Sequence, residues 1–290
     1  MISKDGSIYS VFTNYDMPGY IFAYLKYVYT GSGLWRGYER VFRAYGVHNL
    51  IKLSQDFVYE PCYDASFPII LKSNIKEHLR PEDKLREILS KSVNNNLELI
   101  LLDFIEKYIG TSNVGIGGSL LAGISHEKSD IDIIVYGHKK ALDYLESFPG
   151  FEVDKEWILE ANSNYGIDFA DLLYDNRRRG IYKGRKISVL FVDDKPWRYC
   201  EHLCRKRGRA RIRAKVFGDY EALIYPAKAY VSTVIEGEKV NAILSYEGLY
   251  SSALFGEKEV IAEGMMMECD DGNYILVGDR DVRGFVKPLT

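Results

Sequence analysis

The stretch Gly117-Gly118-Ser119-Leu120-Leu121-Ala122-Gly123-Ile124-Ser125-His126-Glu127-Lys128-Ser129-Asp130-Ile131-Asp132-Ile133-Ile134-Val135 organises this chain. It follows an apolar run, Val114–Ile116, that reads as a strand ending in two glycines, which let the backbone approach an anion closely. Ser119 then opens a helical turn whose first N–H groups lack partners within the helix and favour phosphate. After ten intervening residues, Asp130-Ile131-Asp132 heads a second apolar strand, Ile131–Tyr136. Side chains two apart on a strand point to the same side. Asp130 and Asp132 can therefore converge on one hard cation and leave its other positions to phosphate oxygens.

Working outward, Pro81-Glu82-Asp83 opens a helix with Leu85, Ile88 and Leu89 as its apolar face. A second helix runs from Leu97 to Tyr108 and stops at Gly110. After Tyr136 come a helix over Lys139–Phe148 and a buried strand over Ile187–Val192. These elements delimit a core at residues 83–207. Before it, residues 1–82 are rich in Tyr, with strands expected at Ile8–Phe12, Ile21–Tyr29 and Phe67–Leu71, an α+β appendage. After it, residues 208–290 read as short strands (Ile212–Phe217, Ala222–Tyr225, Ala229–Ile235, Glu259–Met267, Tyr274–Val277), a small all-β, OB-like barrel. The chain as a whole is expected to be α+β, in three parts.

The Gly-Ser pair, the spacer and Asp-x-Asp resemble the hallmark of the polymerase β-like nucleotidyltransferase superfamily. Gly123 and Ser129 also fit the Gly-Ser-x3-Gly-x5-Ser-Asp-x-Asp pattern of its minimal members. The likeness is strict over residues 117–135 and looser over Leu85–Cys204. It implies a mixed-sheet core, with Asp130 and Asp132 as catalytic residues and as ligands of Mg²⁺ (or Mn²⁺). It also implies an NTP whose phosphates meet Gly117, Gly118, Ser119 and Ser129, and an acceptor hydroxyl that takes the nucleoside monophosphate as pyrophosphate leaves. The whole chain also resembles a group of three-part proteins with a Tyr-rich N-terminal domain, this core and a β-rich tail. Arg179-Gly180-Ile181-Tyr182-Lys183-Gly184-Arg185 belongs to that second likeness. Arg177, Arg178, Arg179 and Arg185 are phosphate candidates because forked guanidinium donors suit phosphate oxygens. His126 and Lys128 lie in the loop where a triphosphate would pass.

One departure is chemical. Active members of the superfamily place a third carboxylate on a neighbouring strand, and the aligned position here is Ser188, neither a base nor a good metal ligand. Two replacements are open: Asp154, if Phe151-Glu152-Val153-Asp154 is the relevant strand, or Asp168 or Asp171 folding inward. With no replacement, the chain is expected to act as a degenerate platform that binds nucleotide or RNA.

Net charge is −3, yet Arg177–Lys215 holds fifteen cations against three carboxylates, a local charge of +12. Such a belt attracts phosphates, and RNA is the expected acceptor and partner through residues 177–215. The bland alternative is a solvated face balanced by acidic neighbours. The basic-aromatic stretch Leu34-Trp35-Arg36-Gly37-Tyr38-Glu39-Arg40 could stack bases. Cys62, Cys200, Cys204 and Cys269 are not expected to form disulfides, and Cys200-x-His202-x-Cys204 lacks the second ligand pair a zinc site needs. The N-terminus lacks a signal-peptide core and no run reaches the ~18 apolar residues of a membrane span, which predicts a cytoplasmic location. Gln55 is the only glutamine, a bias that suits a hot environment.

Overall fold

A computed structural model describes residues 1–15, 17–92, 95–195 and 199–289. The fold is mixed α+β with three sheets. The N-terminal sheet takes β1 (Ile2–Ser3), β2 (Ile8–Val11), β3 (Tyr20–Gly33), β4 (Gly37–Arg40), β5 (Phe57–Glu60), β6 (Ala65–Leu71) and β7 (Ile75–Glu77), with one helical turn, α1 (Val47–Leu50), after β4. Its order is β5-β6-β3-β2-β1-β7, and β4 pairs with β3. Aromatic rings build it: Phe22, Tyr27 and Phe42 are buried against Phe67, Trp35 and Tyr24 respectively.

Helix α2 (Pro81–Leu89) begins the central unit, with Pro81 in its first turn and Leu85 and Ile88 buried. It lies hard against β8 (Val114–Ile116): a Cβ on Gly115 would fall 2.5 Å from Pro81 Cβ, so glycine is what allows the approach. Helix α3 (Asn96–Phe104) is capped by the Asn95 side chain, which accepts from Leu97 N–H. The expected helix to Tyr108 opens after Phe104 into a wider turn, closed by Gly110 N–H on Ile105 O at 2.6 Å. The single turn α4 (Gly118–Leu121) leads to β9 (Ile131–Tyr136), followed by α5 (His138–Ser147) and α6 (Lys155–Tyr165). Two more strands, β10 (Arg179–Tyr182) and β11 (Arg185–Val192), complete a sheet of order β10-β11-β9-β8. Only β11 and β9 run parallel. Ile131, Ile133 and Val135 of β9, with Ile187, Val189 and Phe191 of β11, point into a core covered by α2, α3 and α5.

The last unit contains β12 (Cys204–Gly218), β13 (Ala227–Glu236), β14 (Ala242–Ser245), the turn α7 (Ser251–Leu254), β15 (Gly256–Cys269), β16 (Gly272–Val277) and β17 (Phe285–Leu289). The pairing runs β12-β13-β14-β16-β15 and returns from β15 to β12, so five strands close on themselves and β17 adds to β15. β14 and β16 are parallel; the other pairs are antiparallel. The strand expected at Ala222–Tyr225 is instead a turn, whose Leu223 and Ile224 pack with Tyr220 into the central core.

The cysteines depart from expectation. Cys62 is bonded to Cys200 and Cys204 to Cys269, so all four are oxidised. The first pair ties the N-terminal sheet to the segment entering β12, beside the Cys204 N–H to Cys62 O hydrogen bond of 2.9 Å. The second crosses between paired residues of β12 and β15. Sequence spacing hides such contacts between distant segments. No helix among the described residues is long and apolar enough to cross a membrane.

Candidate nucleotide site

Asp132 sits near the start of β9 and faces, in register, Ser188 of β11, which in turn pairs with Arg179 of β10. Residues directly opposite on paired strands share a face, so Asp132, Ser188 and Arg179 form one row across the sheet. Ser188 Oγ donates to Asp132 Oδ1 at 2.5 Å. The position where the superfamily would carry a carboxylate therefore holds a hydroxyl bonded to one of the aspartates. On the other side, Gly117 N–H donates to Asp132 O at 2.8 Å. Gly118 has a φ of +60°, and a Cβ there would lie 2.0 Å from Asp132 Oδ2. Only glycine fits this position, for its backbone angle and for the carboxylate beside it. Ser119 is buried behind it. Because α4 is one turn long, what it offers an anion is backbone N–H groups rather than an extended dipole.

Asp130 precedes β9 by one residue and keeps an exposed edge. Its carboxyl is pushed up to about 6 by loss of solvent around it, then by the charge of Asp132 and more weakly of Asp154, against the pull of Lys186 and Arg40. Two carboxylates repelling each other at the head of one strand are a pair that a divalent cation would relieve.

Ser129 serves the loop itself: its Oγ accepts from His126 N–H at 3.0 Å, and its own N–H returns to His126 O at 3.0 Å. Arg185 also holds this loop, bonding Glu127 O through Nη1. Lys128 is exposed, and its N–H donates to His126 Nδ1. Arg179 stands in the row, opposite Ser188. Its guanidinium lies 4.4 Å from the Trp157 ring centroid. Burial lowers its pKa, while Asp132, Tyr165, Tyr174 and Tyr45 work in the opposite direction. Arg177 and Arg178 do not join it. Arg177 pairs with Asp175 at 3.2 Å, and Arg178 lies over Phe191 and bonds Leu223 O and Ser251 Oγ.

Asp154 is not on a strand: only Glu152 makes an isolated bridge there, to Ile181. Asp154 caps α6, accepting from Trp157 N–H at 3.1 Å, and pairs with Lys186 at 3.2 Å. Its field reaches Asp130, but its oxygens are engaged by the helix and the lysine. Asp168 and Asp171 lie around the turn Ala170–Leu173, which packs on the β12–β17 unit.

Two cations absent from the expected set complete the surroundings. The charge of Asp132 reaches Lys26 of β3, and that of Asp130 reaches Arg40 of β4. Arg40 belongs to the basic-aromatic stretch; for Lys26 the signal was a lone lysine in a strand of Ile, Phe, Ala, Tyr and Leu.

The basic belt meets carboxylates along the barrel. Arg207 pairs with Glu268, Arg209 with Glu263, and Arg213 with Glu259, all across the β12–β15 ladder. Lys206 pairs with Asp279 and Asp281, and Lys183 with Asp103. Cys200 and Cys204 are taken by disulfides, while His202 lies between Asp270 and Asp271, 3.1 and 3.2 Å from their oxygens. That exposed trio has metal-compatible donors but sits on the barrel rim, on other elements than Asp130 and Asp132. Two open surface depressions, lined by Tyr108, Lys139 and Asp143 and by Glu82, Tyr136 and Asp194, lie toward the opposite end of β9 from the aspartates.

The chain is 26% identical over 194 residues to the uncharacterized protein MJ1086 of Methanocaldococcus jannaschii. That alignment covers 60% of this chain and spans 55% of the relative. No family model matches the chain, and no solved structure matches it.

Proposed function

We propose that this chain binds a nucleoside triphosphate with Mg²⁺ and transfers its nucleotide to an acceptor hydroxyl. The observation that carries the reading is the contact of Gly118 with Asp132: a glycine-only phosphate loop abuts a carboxylate that shares a strand edge with Asp130. The donor set fits a hard divalent cation, since both groups are carboxylates and neither is tied up in an ion pair among the described residues. When bound, such an ion supplies Lewis-acid activation of the attacking oxygen and charge relief for the leaving pyrophosphate.

The chain's own groups do the rest. Gly118 and Ser119 present N–H groups to phosphate oxygens, and Arg179 sets a fixed positive charge on the same row. The acceptor oxygen bonds to the α-phosphorus as the bond from that phosphorus to the α,β-bridging oxygen breaks; the hydroxyl proton passes to solvent, and pyrophosphate departs. The order of the closed tail, with its third and fifth strands parallel, supports an OB-like reading of that domain. The ion pairs of Arg207, Arg209 and Arg213 weaken the case for RNA as acceptor, so the acceptor class is left for the experiment to identify.

A second reading has its own observation. Ser188 on Asp132 leaves the acceptor hydroxyl without the usual carboxylate base, which favours nucleotide binding without transfer. Incubating α-³²P-labelled NTPs with Mg²⁺ and total RNA tests both. Label transfer that falls by about 10³ or more in Asp132→Ala supports the transferase. Mg²⁺-dependent binding with no transfer supports the platform. No NTP binding at all sinks both.

A further inference from the structure

We propose that the N-terminal domain completes the nucleotide site, with Lys26 and Arg40 as the cations that grip the polyphosphate. The inference rests on the nucleotide reading above and adds to it residues outside the signature.

The geometry begins with a bulge. β2 and β3 pair Ile8 with Tyr27 but Tyr9 with Leu25, so Lys26 is an extra residue in the ladder. A β-bulge re-aims a side chain that strict alternation would send to the other face. Tyr27 is paired with Arg40 across β3 and β4, so the bulge brings Lys26 and Arg40 toward one side. That side faces the central unit: Tyr27, opposite Arg40, packs with Ile124, and Trp35 beside Arg40 touches His126, so the fields of Asp132 and Asp130 reach Lys26 and Arg40.

Neither cation makes an ion pair among the described residues, in contrast to Lys186, Lys206 and Arg213. Arg40 Nε is buried without a hydrogen-bond partner. Such a donor is costly to bury unless something accepts from it. The guanidinium is held among rings, 5.0 Å from the Trp35 centroid, 5.3 Å from Tyr45 and 5.9 Å from Tyr27. Trp35 in turn touches His126, and Arg36 Nη1 bonds Gly123 O at 3.2 Å. The N-terminal domain is thus docked on the very loop that connects the phosphate turn to Asp130, which fixes Arg40 relative to the aspartates.

Two carboxylates facing two unpaired cations define the ligand. The carboxylates need a cation and the cations need anionic oxygens; a polyphosphate carrying a divalent ion brings both. A nucleoside or a monophosphate brings too little charge to span them.

The test is equilibrium binding of ATP and AMP, each with Mg²⁺, to the full chain and to Lys26→Gln, Arg40→Lys, Arg40→Gln and Asp132→Asn. Thermal melts confirm that each variant folds. We expect Lys26→Gln and Arg40→Gln each to weaken ATP binding about tenfold or more while AMP binding holds, with Arg40→Lys in between. The preference for ATP over AMP then collapses, which a merely structural role would not produce. Should Arg40→Gln unfold, Lys26→Gln alone decides. Wild-type ATP affinity in folded Lys26→Gln and Arg40→Gln, with loss in Asp132→Asn, overturns the role of the N-terminal domain and leaves the nucleotide reading standing. Parallel loss of ATP and AMP also overturns it, since it marks general loosening. No ATP binding by the wild type overturns both.

Discussion

Lys26 and Arg40 in the N-terminal domain and Arg207, Arg209 and Arg213 on the barrel are the same chemistry placed in two settings. The three barrel arginines stand on β12 opposite the glutamates of β15, and each meets a carboxylate. Lys26 and Arg40 stand among tyrosines and tryptophan and, among the described residues, meet no carboxylate within ion-pair reach. Sequence density therefore misleads: seven of the fifteen cations in the segment with a charge of +12 meet carboxylates, whereas Lys26 and Arg40, outside it, meet none among the described residues. A charge is available to a ligand when the fold withholds its partner, and that is decided by which strand lies alongside.

Three measurements would break or sharpen this contrast. The largest effect is expected at a carboxylate that, like Arg40, is buried among rings. Glu247 sits where the three units meet, accepting from Val47 N–H at 2.7 Å. Burial pushes it up to about 7, against the pull of Val47 N–H, Tyr165 and Arg283. A group whose pKa is higher folded than unfolded adds stability that is full below about 4.5 and lost as pH rises through about 7. Denaturant melts of Glu247→Gln should show a flatter pH profile and, at pH 8, a gain of roughly 3 kcal/mol over wild type. An unchanged profile would mean that this carboxylate is solvated after all.

Next in size is Ser188→Asp, which puts a third carboxylate opposite Asp132. Mn²⁺ titration should show about tenfold tighter binding, ~1.4 kcal/mol, while the metal-free protein melts lower because three carboxylates then crowd one edge. Weaker metal binding would show that the Asp132–Ser188 hydrogen bond is itself needed to orient Asp132. The smallest effect is expected on the belt. Arg207→Ala and Arg209→Ala should each change stability by ~1 kcal/mol or less and leave RNA affinity and its salt slope unmoved. A slope that drops by about one per removed arginine would make these side chains phosphate contacts and restore RNA as a partner.

Much of the central sheet was legible because its cues are local. The alternation of Ile131, Ile133 and Val135 fixed which side of β9 is core and hence that Asp130 and Asp132 share the other. The strands Val114–Ile116 and Ile131–Tyr136 fall where periodicity puts them. What escaped depends on partners far along the chain. Glu263 and Glu268 lie more than fifty residues from the arginines they neutralise. The place of Asp154 as the cap of α6 could be suspected from its local sequence, but its lysine comes from β11. Lys26 needed a one-residue slip between β2 and β3, which no periodicity announces. The cysteine pairs join segments that only the assembled units bring together.

The Cys62–Cys200 bond spans 138 positions and so encloses the whole aspartate-bearing sheet within a covalent ring. A protease that nicks the backbone anywhere inside that ring does not release a fragment. The cut protein migrates on a gel as one molecule until a thiol is added, and its two pieces stay in register for resealing of the fold. The Gly117–Ser119 turn and its N-terminal cover are thus tethered by two independent paths, and losing one path leaves the other to hold them together.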